Sequence, residues 1–98
     1  MSSPELDTLR AQLDTADALL VRALCLRASV VADVARAKAS AGLPAHDPAR
    51  EASQLARAEE LALAHGVAPE GVALVREVLS IALERCRAEV ARRMDAPA

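Results

Sequence analysis

The run from Glu5 to Ala41 contains neither Gly nor Pro, and no other feature constrains the chain as tightly. Gly42-Leu43-Pro44 then breaks it. Within the run, Leu6, Leu9, Leu13, Ala16, Leu20, Leu24, Val31 and Val34 recur at heptad-like steps. Arg27 fills the place where that repeat asks for an apolar residue. The pattern predicts one helix over about 5–41. At ~1.5 Å per residue it measures roughly 50 Å, against ~25–30 Å for a compact globule of this chain length. The remaining residues of a 98-residue chain are too few to cover such a stripe. A second copy is the natural cover, so the expectation is an interlocked homodimer.

Composition points the same way. Hydrophobic residues make up 53% of the chain, but 24 of them are Ala and one is Ile, which favours helix over strand. Ala buries little area, so a core made within one chain is thin. The expectation is an all-α fold: residues 1–98 as a single domain of three helices, one very long. There is no Trp, Tyr or Phe, which argues against base-stacking nucleic-acid modules and aromatic cages. Net charge is −2 and pI about 5.6, so no basic face is available for a polyphosphate. No apolar run approaches the ~20 residues of a membrane span. Met1-Ser2-Ser3-Pro4-Glu5 lacks a basic region followed by an apolar one, so no signal peptide is expected. Cys25 and Cys86 sit in helical pattern without a CxxC, and read as buried thiols in a reducing cytoplasm.

Two shorter helices follow. Ser3 and Pro4 suit the N-cap and first turn of helix 1. Gly42 to Pro48 is a loop, and Asp47-Pro48 reads as N-cap and first position of a helix over about 48–65, with Leu55, Ala58, Leu61 and Ala62 on its apolar side. Gly66 stops it. Pro69-Glu70 opens a helix over about 69–93 with the stripe Val72, Val75, Leu79, Ala82, Cys86 and Val90. Asp95-Ala96-Pro97-Ala98 reads as a frayed tail.

Charges beside the stripe of helix 1 carry the chemical information. Lys38 follows Arg27 by 11 residues, three helical turns, and shares its face at a Cα separation of ~16 Å. Both side chains can lean toward one small anion. Arg10 lies roughly 25 Å from Arg27 along the axis, so one helix cannot bring both to one small molecule. A crossed partner helix can, which suggests a polyanion pocket shared between subunits. Each residue also has an ordinary structural reading: a basic head snorkelling to water, Asp47 as a helix cap, Glu51 as a first-turn acid. His46 and His65 have no metal-ligand spacing and read as exposed. No Ser-His-Asp, Cys-His or HExxH arrangement and no Gly-rich phosphate loop is present, so neither a metal nor a cofactor is expected.

Leu9-Arg10 with Leu13-Asp14, then Leu26-Arg27, then Val34-Ala35-Arg36-Ala37-Lys38, then Gly42-Leu43-Pro44-Ala45-His46-Asp47-Pro48-Ala49-Arg50-Glu51 form an ordered set. It resembles the all-helical (AroQ-class) chorismate mutases over about residues 6–90. The spacing from Lys38 through Pro44 and Asp47 to Glu51 is its most specific part, and His65 to Glu70 also fits. The resemblance implies an intertwined, domain-swapped-like homodimer of three-helix chains in the cytoplasm. It implies the Claisen rearrangement of chorismate to prephenate in aromatic amino acid synthesis, without cofactor or metal. That step is unimolecular: the enzyme holds a dianion in a compact conformer and stabilises charge as the ether bond breaks. By position, Arg10 of the partner chain would grip one carboxylate and Arg27 the other. Lys38 would reach the ether oxygen, Glu51 and the Asp47 region would hold the ring hydroxyl, and Arg50 would support that cluster.

Helix 3 departs from the family, which places a small hydroxyl residue there and Gln or Glu four residues later. A gap-free alignment gives Leu83 and Arg87, a one-residue shift gives Ala82 and Cys86, and chemistry favours Ser80 and Glu84. The expectation is Arg87, whose guanidinium can supply the missing donor, with Leu83 beside the substrate. This departure keeps two other readings open: a mutase of 4-amino-4-deoxychorismate, and a non-catalytic helical dimer that binds or regulates another enzyme.

Overall fold

The computed structural model describes residues 3–96. Met1 and Ser2, part of the signal-peptide reading, and Pro97 and Ala98, part of the frayed-tail reading, lie outside them. The described residues form three helices and no strand: α1 (Pro4–Ala41), α2 (Pro48–Ala64) and α3 (Pro69–Met94). The all-α expectation holds. None of these helices is long and apolar enough to cross a membrane.

Each helix starts and stops where its local chemistry dictates. Ser3 Oγ accepts the Leu6 N–H at 3.0 Å and caps α1, with Pro4 in its first turn. α1 ends in a Schellman turn. Gly42 takes φ 68°, the Leu43 N–H donates to the Lys38 carbonyl at 2.9 Å, and the Gly42 N–H donates to Ala39 at 3.2 Å. Asp47 caps α2 by accepting the Arg50 N–H at 3.0 Å, and Pro48 follows it. α2 closes at Gly66, with φ 73° and its N–H on the Leu63 carbonyl at 2.9 Å. Pro69 opens α3, and Arg92 and Arg93 close it on the Glu89 carboxylate. The hydrogen bond from Arg92 holds the Glu89 carboxyl below the usual carboxylate range.

The chain divides into two compact units, and the boundary falls inside α1, between Val30 and Val31. In the second unit α2 and α3 run antiparallel, since Glu59 pairs with Arg76 and Glu51 with Arg87. Val31 and Ala35 of α1 meet Val90 of α3 in a small buried cluster, with Ala45, Cys86 and Met94 packed around it. The buried residues of α3, Leu83 and Val90, are seven positions apart and so lie on one face of the helix. Leu83, off the expected stripe, is buried, whereas Val75 on that stripe is exposed. Leu61 of α2 is likewise exposed and Ala62 buried.

The first unit is a length of α1 with no buried residue among those described. Leu6, Leu9, Leu13, Leu20 and Leu24 of the predicted stripe are all exposed, Leu13 to 63%. Cys25 is exposed and not a buried thiol as expected, because nothing in its own unit packs over that length of helix. Cys86 is half-buried.

The turn at Gly66 yields a direct prediction. A Cβ there meets no atom, so the penalty for Gly66→Ala is the left-handed backbone itself, about 1 kcal/mol. The thermal midpoint followed by circular dichroism should drop by ~4–8 °C, and Gly66→Asn should lose less.

Candidate active site

The Schellman turn at Gly42 fixes where Lys38 can point. Lys38 lies in the last turn of α1, half-buried, and its Nζ donates to the Ala45 carbonyl at 2.7 Å. An ammonium has three donors, so two N–H groups remain for a ligand. Lys38 is also the only lysine among the chain's twelve basic residues.

Asp47 and Glu51 are set by the start of α2. The Asp47 carboxylate is engaged as the helix cap, and it is the backbone N–H of Arg50 that it receives. The Arg50 side chain is exposed. Glu51 stands in the first turn, where the helix dipole favours a negative charge. Its Oε1 accepts from Arg87 Nη1 of α3 at 2.8 Å, with side-chain exposures of 21% for Glu51 and 33% for Arg87.

His46 completes this cluster. Its Nε2 lies 3.3 Å from the same Arg87 Nη1 and 3.6 Å from Glu51 Oε2. Ala45 and His46 are consecutive, so two adjacent loop residues hold Lys38 on one side and the Glu51–Arg87 pair on the other. The sequence marks His46 only as an exposed residue without metal-ligand spacing. It is exposed, yet it touches both charged partners. The contact joins positions 41 residues apart, which no local pattern encodes.

The three alignments of α3 have different surroundings. Leu83 is buried to 5% exposure one turn before Arg87, and Arg87 meets the first turn of α2. Ala82 is half-buried, and Cys86 packs toward the Val31–Ala35–Val90 cluster. Ser80 Oγ donates to the Arg76 carbonyl of its own helix at 2.8 Å, and Glu84 is exposed.

Arg10 and Arg27 belong to the first unit. Arg10 is exposed. Arg27 is half-buried, and its Nε is out of solvent with no hydrogen-bond partner among the described residues. A donor shielded from water in this way favours an acceptor, and an anion is the strongest one. The described residues contain no cluster of three His, Cys, Asp or Glu suited to a metal.

The second unit thus gathers an ammonium with two N–H groups to spare and a guanidinium anchored on a carboxylate. The first carries a guanidinium with a buried donor unused. Such groups bind carboxylates and hydroxyls and stabilise developing negative charge. The T-protein of Enterobacter agglomerans is 43% identical to the chain over 75 residues, which cover 76% of this chain. The match covers 19% of the T-protein, so the chain spans about a fifth of the length of that curated relative. No solved structure gives a significant match. The family model for chorismate mutase type II matches residues 9–89, a segment that holds Arg10, Arg27, Lys38, Asp47, Arg50, Glu51, Leu83 and Arg87. The chain belongs to the type II chorismate mutase family.

Proposed function

We propose that this protein is a chorismate mutase, an isomerase that converts chorismate to prephenate in aromatic amino acid synthesis in the cytoplasm. The observation that carries the reading is Arg27, whose Nε is out of solvent with no hydrogen-bond partner among the described residues, in a chain of this family. A substrate carboxylate is the partner that such a donor lacks.

The rearrangement breaks an ether C–O bond and forms a C–C bond within one molecule. No proton has to move and no nucleophile attacks. The protein must hold the dianion folded and meet the charge that grows on the ether oxygen. Arg27 grips one carboxylate through its planar fork. Lys38 turns a spare N–H to the ether oxygen, and Arg87, steadied on Glu51, supplies a second donor there. Leu83 gives an apolar wall that keeps water away, which strengthens each of these contacts. Glu51 and the start of α2 at Asp47 accept the ring hydroxyl, with Arg50 supporting that turn.

The second carboxylate falls to Arg10 of another copy. The exposed leucines of α1 support this, because a helix with Leu6, Leu9, Leu13, Leu20 and Leu24 in water lacks its cover. Two copies crossing along these faces would bury them and bring each Arg10 to the other chain's Arg27. The active unit in this reading is a homodimer with two shared sites.

Four measurements test the assignment. Arg27→Ala should lose at least ~3 kcal/mol of transition-state stabilisation, more than about a hundredfold in kcat/KM, and near-native values would remove Arg27 from the site. Arg10→Ala mixed with Arg27→Ala should regain activity at about a quarter of all sites by random pairing, whereas no recovery on subunit exchange argues against a shared pocket. Arg87→Ala should impair turnover more than Cys86→Ala, and the reverse order would select the other alignment of α3. Faster turnover of 4-amino-4-deoxychorismate than of chorismate would reassign the substrate.

A further inference from the structure

We infer that His46 is a positioning residue, whose neutral imidazole fixes the Arg87 guanidinium on Glu51 and whose protonation releases it. The inference rests on the mutase reading for its kinetic part and on geometry for the rest. Arg87 Nη1 carries two hydrogens. One goes to Glu51 Oε1 at 2.8 Å, and the other side of the same nitrogen meets His46 Nε2 at 3.3 Å. A guanidinium only donates, so this contact is a hydrogen bond only when Nε2 bears a lone pair and the ring proton sits on Nδ1.

Protonation inverts the relation. An imidazolium puts an N–H and a positive charge 3.3 Å from a guanidinium, where like charges repel. The same N–H then faces Glu51 Oε2 at 3.6 Å and competes with Arg87 for the carboxylate. The charged groups around His46 are few. Glu51 of α2 and Arg87 of α3 touch it, Lys38 of α1 holds the carbonyl of the preceding residue, and Asp47 follows it as the α2 cap. Among the described residues Glu51 is the one carboxylate in contact with both His46 and Arg87, so gain of a proton at His46 redistributes that single negative charge.

The consequence falls on kcat. A donor to the ether oxygen matters most in the transition state, where that charge develops, so displacing Arg87 slows the chemical step more than it weakens substrate binding. Protonation of the ring therefore lowers kcat, so acid is the direction in which activity should fall.

The test pairs kinetics with nitrogen NMR of the ring, on the full chain. His46→Gln keeps a neutral acceptor but cannot titrate, and His46→Ala keeps neither property. As pH is lowered, wild-type kcat on chorismate should fall about fivefold, the scale of one lost hydrogen bond, with KM changing less. His46→Gln should match wild type at the upper end and lose the acid limb. His46→Ala should be low and flat throughout. A wild-type acid limb that survives in both variants, or effects confined to KM, would overturn the role. The NMR arm needs no turnover. Neutral His46 should carry its proton on Nδ1, and Arg87→Leu should abolish that bias, with exposed His65 as the internal control. Nε2-protonated His46 in the wild type overturns the inference even if chorismate is consumed. An Nδ1-protonated ring in a protein that leaves chorismate intact removes the mutase reading and the catalytic role of His46 together, and leaves the contact standing.

Discussion

The left-handed turn at Gly42 ends α1 and reverses the chain, and the placement of the charged groups in the second unit depends on that reversal. Its paired backbone bonds spend the carbonyls of Lys38 and Ala39 on the turn itself, so α1 cannot continue and the loop must fold back beside its last turn. Lys38 then finds the Ala45 carbonyl within reach of its amine. Asp47, at the far end of the loop, starts α2 and sets Glu51 in its first turn. An L-residue at position 42 would adopt this φ at a cost, and a loop that left α1 elsewhere would take the Ala45 carbonyl away from the Lys38 amine.

Glu51 and Arg87 join α2 to α3, but the pair does little for stability. Both groups are partly in water, and exposed ion pairs contribute about 0–1 kcal/mol. Their value lies in position. A free arginine samples many rotamers, and one whose guanidinium rests on a half-buried carboxylate is already ordered when a ligand arrives. The α3 helix that presents it is held by packing instead: Val90 against Val31 and Ala35, with Leu83 buried one turn before the guanidinium. Rigid apolar contacts thus aim polar groups whose own mutual attraction is weak.

Much of this was legible in the sequence, and the reasons are local. Ser3-Pro4, Asp47-Pro48, Gly42, Gly66 and Pro69 mark helix ends through caps, a fixed φ or a positive φ, all of which act within a few residues. The spacing from Lys38 to Glu51 carried the family resemblance for the same reason. What escaped was set at a distance. Leu83 sits seven residues before Val90 on one face of α3, and only the packing of α2 against α3 centres the buried face there rather than on Val75. His46 meets a guanidinium 41 residues away. Cys25 and the leucines of α1 were expected to be covered, and within their own unit they are not. The apolar pattern of α1 is readable in the sequence, and within the first unit nothing covers it.

Rearrangement of chorismate is the reaction that decides the function of this chain. Purified protein given millimolar chorismate, followed by proton NMR, should consume it and release prephenate in equal amount, at a rate proportional to protein and far above the spontaneous rearrangement. Chorismate that disappears no faster than in buffer, or that yields pyruvate and an aromatic acid instead, would contradict the mutase reading.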